Sequence, residues 1–173
     1  MVQLAHRASL LVVLCLLSGC ASRWEPNAAF KQTALNSQTV LSATQRLREK
    51  TGIDGDPIQL DDERYRDYLD KVRTAIKAKW GYPCVRDAAT GHCEYKSAEV
   101  VIVFGLLKDG RVPGAWPQHP VGVQIAESSG ADVMDQYAVI AIFLASPFPP
   151  VPEAMLHGHP GVPVVTRFHY TRR

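Results

Sequence analysis

The stretch SSGADVMDQYAVIAIFLASPFPPVP, residues 128–152, opens on two serines and a glycine and closes on Pro147, Pro149, Pro150 and Pro152. Between them the chain is almost wholly apolar. Ser129, with Asp132 three residues on, has the layout of a capping box ahead of an apolar run. The spacing predicts a helix from about Gly130 to Ala145. Val133, Met134, Tyr137, Ala138, Ile140, Ala141 and Leu144 would form its broad buried face, and Asp132 and Asp135 would sit near its positive end. Pro147 stops it, because a residue before proline is pushed out of the α region. The segment PFPPVP then reads as an extended strap of polyproline character, with Phe148 and Val151 tucked onto the core.

A serine beside an aspartate invites a hydrolase reading, and the context argues against it. ESSGA is not the Gly-x-Ser-x-Gly elbow, and no strand-turn-helix pattern exposes Ser128 or Ser129. His119, His157, His159 and His169 stand at no spacing that ties one of them to a base role. No catalytic residue is assigned. His157 and His159 flank Gly158 in a segment expected to be an exposed loop, and no metal or cofactor is assigned.

Composition narrows the classes further. The chain has 173 residues, 46% of them hydrophobic, enough for one core and a small appendage. Lys and Arg number 19 against 17 Asp and Glu, a formal net charge of +2. No basic block is present, which argues against nucleic acid as a partner.

The first residues, MVQLAHRASLLVVLCLLSGC, place His6 and Arg7 before an apolar run from Ala8 to Leu17. That run is shorter than the roughly 20 residues a bilayer span takes and has the layout of a secretory signal. Leu17-Ser18-Gly19-Cys20 resembles the bacterial lipobox. Residues 1–19 are therefore expected to be a lipoprotein signal peptide and Cys20 the acylated anchor. The alternative is an ordinary signal peptide with a chance cysteine. Ala21 after the cysteine points to the outer membrane, periplasmic face, and several acyl chains on one cysteine give stable attachment. Beyond the anchor, Cys84 and Cys93 frame CVRDAATGHC. In an exported protein such a pair is expected to form a disulfide. The alternatives are free thiols, or a metal site with His92 that lacks an evident fourth ligand.

Residues 20–60 read as a lipid-anchored tether. A weakly amphipathic helix from about Asn27 to Lys50, ended by Gly52, carries only a thin stripe of Phe30, Ala34, Leu41, Thr44 and Leu47, so it is expected to project. GIDGDP reads as a turn. Residues 61–173 form the domain. LDDERYRDYLDKVRTAIKAKW predicts a helix capped by Asp61 or Asp62, with Tyr65, Tyr68, Leu69, Val72, Ile76 and Trp80 as its core stripe and Lys71, Arg73, Lys77 and Lys79 on a solvated side. Val100 to Leu107 is apolar almost throughout, as in a strand buried on both faces. Asp109-Gly110 signals a hairpin turn, with a returning strand from Arg111 that Pro113 confines to an edge or bulge. VGVQIAE resumes the alternation with Val121, Val123 and Ile125 inward. GVPVVTRFHY alternates cleanly: Val162, Val164, Thr166, Phe168 and Tyr170 face one way, and Val165, Arg167 and His169 the other.

The pieces Y-x-x-Y-L…I-x-x-x-W, V-I-V-F…K-D-G-R-V, S-S-G…D-Q-Y-A-V-I-A-I…A-S-P-F-P-P-V-P and a terminal F-H-Y closely resemble the TonB/TolA C-terminal domain family over about residues 64–171. The most specific part is Ser128, Ser129, Gly130, Asp135, Ala138, Ala141, Ala145 and Pro147-Phe148-Pro149-Pro150. The resemblance implies an α+β fold, with a three-stranded antiparallel sheet packed with two helices. It also implies binding of extended segments of partner proteins, as TonB adds a transporter's strand beside its own last strand. The corresponding edge here is Val162, Val164, Val165, Thr166, Arg167, Phe168, His169 and Tyr170; the alternative is that the chain's own N-terminal segment covers it. The partner implied is a periplasmic or outer-membrane protein, with no small-molecule substrate. TonB and TolA themselves begin with an inner-membrane helix and a long periplasmic spacer, where this chain has a lipobox and residues 20–60. Two alternatives stand beside partner binding: a structural subunit of a cell-envelope complex, and a TonB-type energy transducer for outer-membrane transport.

Overall fold

A computed structural model of the chain describes residues 37–94 and 97–171. The expected signal peptide, Cys20 and the expected helical residues 27–36 lie outside the described residues. The described elements run α1 (Gln38–Thr51), β1 (Ile58–Gln59), α2 (Arg66–Lys79), β2 (Val85–Arg86), β3 (Cys93–Glu94), β4 (Ala98–Leu107), β5 (Val123–Glu127), α3 (Asp132–Ala145), α4 (Glu153–Leu156) and β6 (Gly161–Tyr170). The fold is α+β. Its main sheet has the order β1-β6-β4-β5, with β4 antiparallel to both neighbours and β1 parallel to β6. The sheet is thus mixed and four-stranded, where a three-stranded antiparallel one was expected. The added strand comes from the GIDGDP turn, which delivers Ile58 opposite Val164 and buries it.

β4 and β6 pair over their whole length, from Ala98 opposite Tyr170 to Leu107 opposite Gly161. Period-two alternation sends Val100, Ile102, Phe104 and Leu106 into the main core and Val101 and Val103 into a second one. Both faces of β4 are covered, which is why it reads as an unbroken apolar run. On the main face, α2 buries Tyr68, Leu69, Val72 and Ile76, and α3 buries Met134, Ala138, Ala141 and Ile142.

The second face is covered by α1. Ser37 caps it by accepting from the Val40 N–H, and Gly52, at φ 72°, ends it. Val40, Ala43 and Leu47 pack on Val101, Val103 and Val165. Ile53 seats where a β-carbon on Gly105 would come within 2.5 Å of its Cδ1, so the bare backbone at Gly105 is what admits it. The helix expected to project therefore lies on the sheet. The face it buries is Val40, Ala43 and Leu47, so of the expected stripe Leu47 is buried and Leu41 is exposed.

Several local expectations are overturned. In α3, Tyr137 and Leu144 are 43% and 60% exposed, because α2 and the sheet occupy only one flank of that helix. The helix also has no side-chain cap: its N-cap is Ala131, and the serines bond elsewhere. Finally, no strand returns at Arg111. The Asp109-Gly110 turn forms, with the Gly110 N–H donating to Leu107 O (2.8 Å) and the Leu107 N–H to Arg111 O (2.9 Å), but the pairing goes no further and the strap takes the carbonyls of the turn. Phe148 N–H donates to Gly110 O (2.9 Å) and Val151 N–H to Lys108 O (3.0 Å), while Val112 N–H donates to Ser146 Oγ (3.2 Å). Pro113 has no N–H to offer. The chain loops out and rejoins β4 at β5, opposite Phe104. A register shift between Val101 and Ile102 accompanies a change of pattern. Of the three residues expected inward, Val123 is buried, Val121 is half-buried, and Ile125 is exposed at the sheet margin.

Candidate functional site

A sheet edge exposes unpaired main-chain groups, so each edge needs a cover or a use. The β5 edge is covered by side chains of α1. Arg46 Nη2 donates to Ile125 O (3.0 Å), Lys50 Nζ to Gln124 Oε1 (3.3 Å), and Thr39 Oγ1 to Glu127 Oε1 (2.9 Å).

The β6 edge is covered only in part. β1 pairs with it at Val164 and Val165, and Leu60 N–H donates to Val165 O (2.9 Å). The chain then leaves for a 3-10 turn at Glu63–Tyr65, capped by Asp62. Since the Val165 carbonyl points outward, the N–H and C=O of Arg167 and His169, two and four residues on, point to the same side. Among the described residues, no strand pairs with that side of β6 beyond Val165.

The side chains of this edge divide sharply. Val162, Val164, Phe168 and Tyr170 belong to the main core, Val165 to the second, and Thr166 is buried. Of these six only Val165 turns main-chain groups outward, and Leu60 already takes its carbonyl; the outward groups left open among the described residues are those of Arg167 and His169. Arg167 and His169 are exposed, and both turn to one carboxylate: Arg167 Nη1 and His169 Nδ1 each lie 2.9 Å from Glu99. Tyr170 donates its hydroxyl proton to Met134 O (2.8 Å), and burial raises its pKa.

Beside the open stretch lies a cleft of about 510 Å³, lined by Lys77, Trp80, Gly81, Tyr82, His169, Tyr170 and Thr171. Trp80 stands edge-on to Phe168 and Tyr170, each at 5.2 Å, and Tyr82 meets Tyr170 at 5.4 Å. The terminal aromatics thus brace the wall of the cleft. Gly81 and Tyr82 carry no signal in the sequence, and Lys77 reads there only as solvated charge. Lys77 belongs to the solvated side of its helix, and only the fold shows that this side borders β6.

The serine-glycine motif gathers around one buried carboxylate. Ser128 Oγ donates to Asp135 Oδ2 (2.5 Å), and Ser129 donates to Oδ1 from its backbone N–H (2.9 Å) and its hydroxyl (2.6 Å). Gly130 holds φ 79° at the turn. Asp135 latches the end of β5 to α3, and the serines serve that latch. Pro147, Phe148, Pro149 and Pro150 form the strap: Phe148 is buried against Phe104, and Tyr68 Oη donates to Pro149 O (3.0 Å). Burial pushes the Tyr68 pKa up to about 12.

Cys84 and Cys93 form a disulfide, Cα to Cα 5.0 Å, closing the β2–β3 hairpin that follows Tyr82. His157 and His159 are exposed, with Tyr65 Oη 3.4 Å from His157 Nε2. Among the described residues, no group of three or more His, Cys, Asp or Glu side chains converges to hold a metal, and no helix is long and apolar enough to cross a membrane. No family model matches the chain, and no curated protein matches it in sequence.

Proposed function

We propose that the chain is a non-enzymatic, periplasm-facing lipoprotein, anchored in the outer membrane through Cys20, whose TonB C-terminal-like domain binds a partner protein along the β6 edge. The observation that carries this reading is the asymmetry of the two sheet edges. One is covered by α1 side chains, and the other is left open from Thr166 to Tyr170 beside an aromatic cleft. An extended segment laid there extends the sheet by main-chain hydrogen bonds. Rigid core packing beneath Phe168 and Tyr170 holds the acceptor strand in shape before binding, which lowers the ordering cost.

The test keeps the fold and removes one outward donor. His169 bonds away from β4, so His169→Pro deletes an N–H that the β4 ladder does not use. A photo-crosslinker at position 167 of the lipidated chain should trap one envelope protein. The same group at Leu41, on α1, should not, and His169→Pro should abolish the crosslink while far-ultraviolet circular dichroism stays unchanged. Equal trapping with and without the proline refutes the edge. Mass measurement of the mature N-terminus with membrane fractionation tests the anchor.

A second reading, permanent burial as a subunit of an envelope complex, draws on the exposed Tyr137 and Leu144 of α3. Crosslinks from those positions, and none from position 167, would favour it.

A further inference from the structure

We infer that the segment taken up by the β6 edge carries acidic side chains, selected by Lys77 on one side and Arg167 on the other; this deepens the edge reading and rests on it. Among the described residues, the lining of the cleft contains Lys77 and no carboxylate. Among the described residues, Lys77 is in no ion pair. On the opposite side of β6, Glu99 is shared between Arg167 and His169. Lys77, Arg167 and Glu99 together sum to one positive charge at the open edge. The sequence continues after the exposed Thr171 with Arg172 and Arg173, which lie outside the described residues.

An added strand alternates its side chains between the two faces of the sheet, about 6.6–7 Å apart along each face. Those on the helix face meet Lys77 and the rings of Trp80 and Tyr82. Those on the α1 face meet Arg167, which an incoming carboxylate can share with Glu99. A segment with glutamate or aspartate at two positions of opposite parity and small β-branched residues between them satisfies both faces. A lysine-bearing segment puts a like charge against Lys77 and gains at most a share of the already paired Glu99 on the other face. Opposed potentials of this kind set partner choice and on-rate.

The probe is an eight-residue valine-threonine peptide with two glutamates at positions of opposite parity. It is compared with its lysine counterpart and with a version interrupted by a central proline, all read by fluorescence anisotropy against the full chain. The glutamate peptide should bind roughly tenfold tighter than the lysine peptide at 0.1 M salt. The gap should narrow at 1 M, where the screening length falls from about 10 Å to about 3 Å. Lys77→Glu, at an exposed side chain, should remove that preference. Lys71→Glu, on the same helix but outside the cleft lining, should leave it intact. Equal affinities for the two charged peptides, or a preference that survives Lys77→Glu, overturns the inference and leaves the edge reading standing. Failure of both charged peptides to bind overturns the two together. Undiminished binding of the proline-interrupted peptide shows an acid-binding surface without strand addition, and so overturns the strand geometry.

Discussion

Leu47 and Leu41 lie on the same helix, α1, in opposite surroundings: 0% and 45% exposed. Leu47 packs among Val40, Ala43, Ile53, Val101 and Val103, and its methyls lie 3.5 and 3.6 Å from the place where a β-carbon on Gly105 would stand. Leu47→Ala empties that site. Returning a buried leucine to water costs roughly 1.5–3 kcal/mol by transfer alone, and the cavity left behind raises the loss to about 2–5 kcal/mol. The second core is small and backed by β4, which is braced from its other face, so it has little room to collapse. A value near 3 kcal/mol is expected, lowering Tm by on the order of 10 °C. Leu41→Ala should stay within about 0.5 kcal/mol. Urea unfolding of the full chain, followed by circular dichroism, measures both, with the m-value unchanged if only stability has moved. Equal effects from the two variants would refute the docking of α1, because a helix standing off the sheet would feel neither.

Gly110→Ala should cost about 1–2 kcal/mol for left-handed backbone alone. It should cost more because the new β-carbon would fall 2.0 Å from Phe148 O; thermal unfolding reads the loss, and a stability equal to the parent's contradicts the seating of the strap. Burial holds the Tyr68 pKa at about 12 against an ordinary 10, so the folded chain keeps that proton more tightly than the unfolded one. The associated stability is fully present below pH 10 and is lost as pH rises toward 12. It amounts to on the order of 2–3 kcal/mol, and urea titrations across that range should be flatter for Tyr68→Phe than for the parent. Reducing the Cys84–Cys93 bridge, nine positions apart, should cost about 2.5 kcal/mol on the chain-entropy estimate, read by denaturation with and without a phosphine reductant.

Several elements were legible in the chain because their signals are local. The three- and four-residue spacing of Tyr68, Leu69, Val72 and Ile76 needs no knowledge of what those residues touch. Neither does the alternation from Val162 to Tyr170, nor the proline run that ends α3 and sets out the strap. The close pair Cys84 and Cys93 likewise pointed to the bridge they form. The terminal strand is legible from the same alternation and its use as an edge follows from the resemblance, but among the described residues only Arg167 and His169 keep outward main-chain groups that neither β1 nor β4 takes.

What needed the assembled fold was every question of which surface meets which. A thin apolar stripe on α1 fits a projecting helix or a docked one equally well, until Gly105 opens a seat for Ile53. The turn at Gly110 announces a hairpin, but the strap residues that claim its hydrogen bonds arrive almost 40 positions later (Phe148 on Gly110). Asp135 looks like dipole charge until Ser128 and Ser129 fold back onto it. Lys77 joins the site only because α2 ends beside β6. Periodicity reports which face of an element shuns water. The partner of that face is set by contacts between residues far apart in the chain, and no local pattern encodes those.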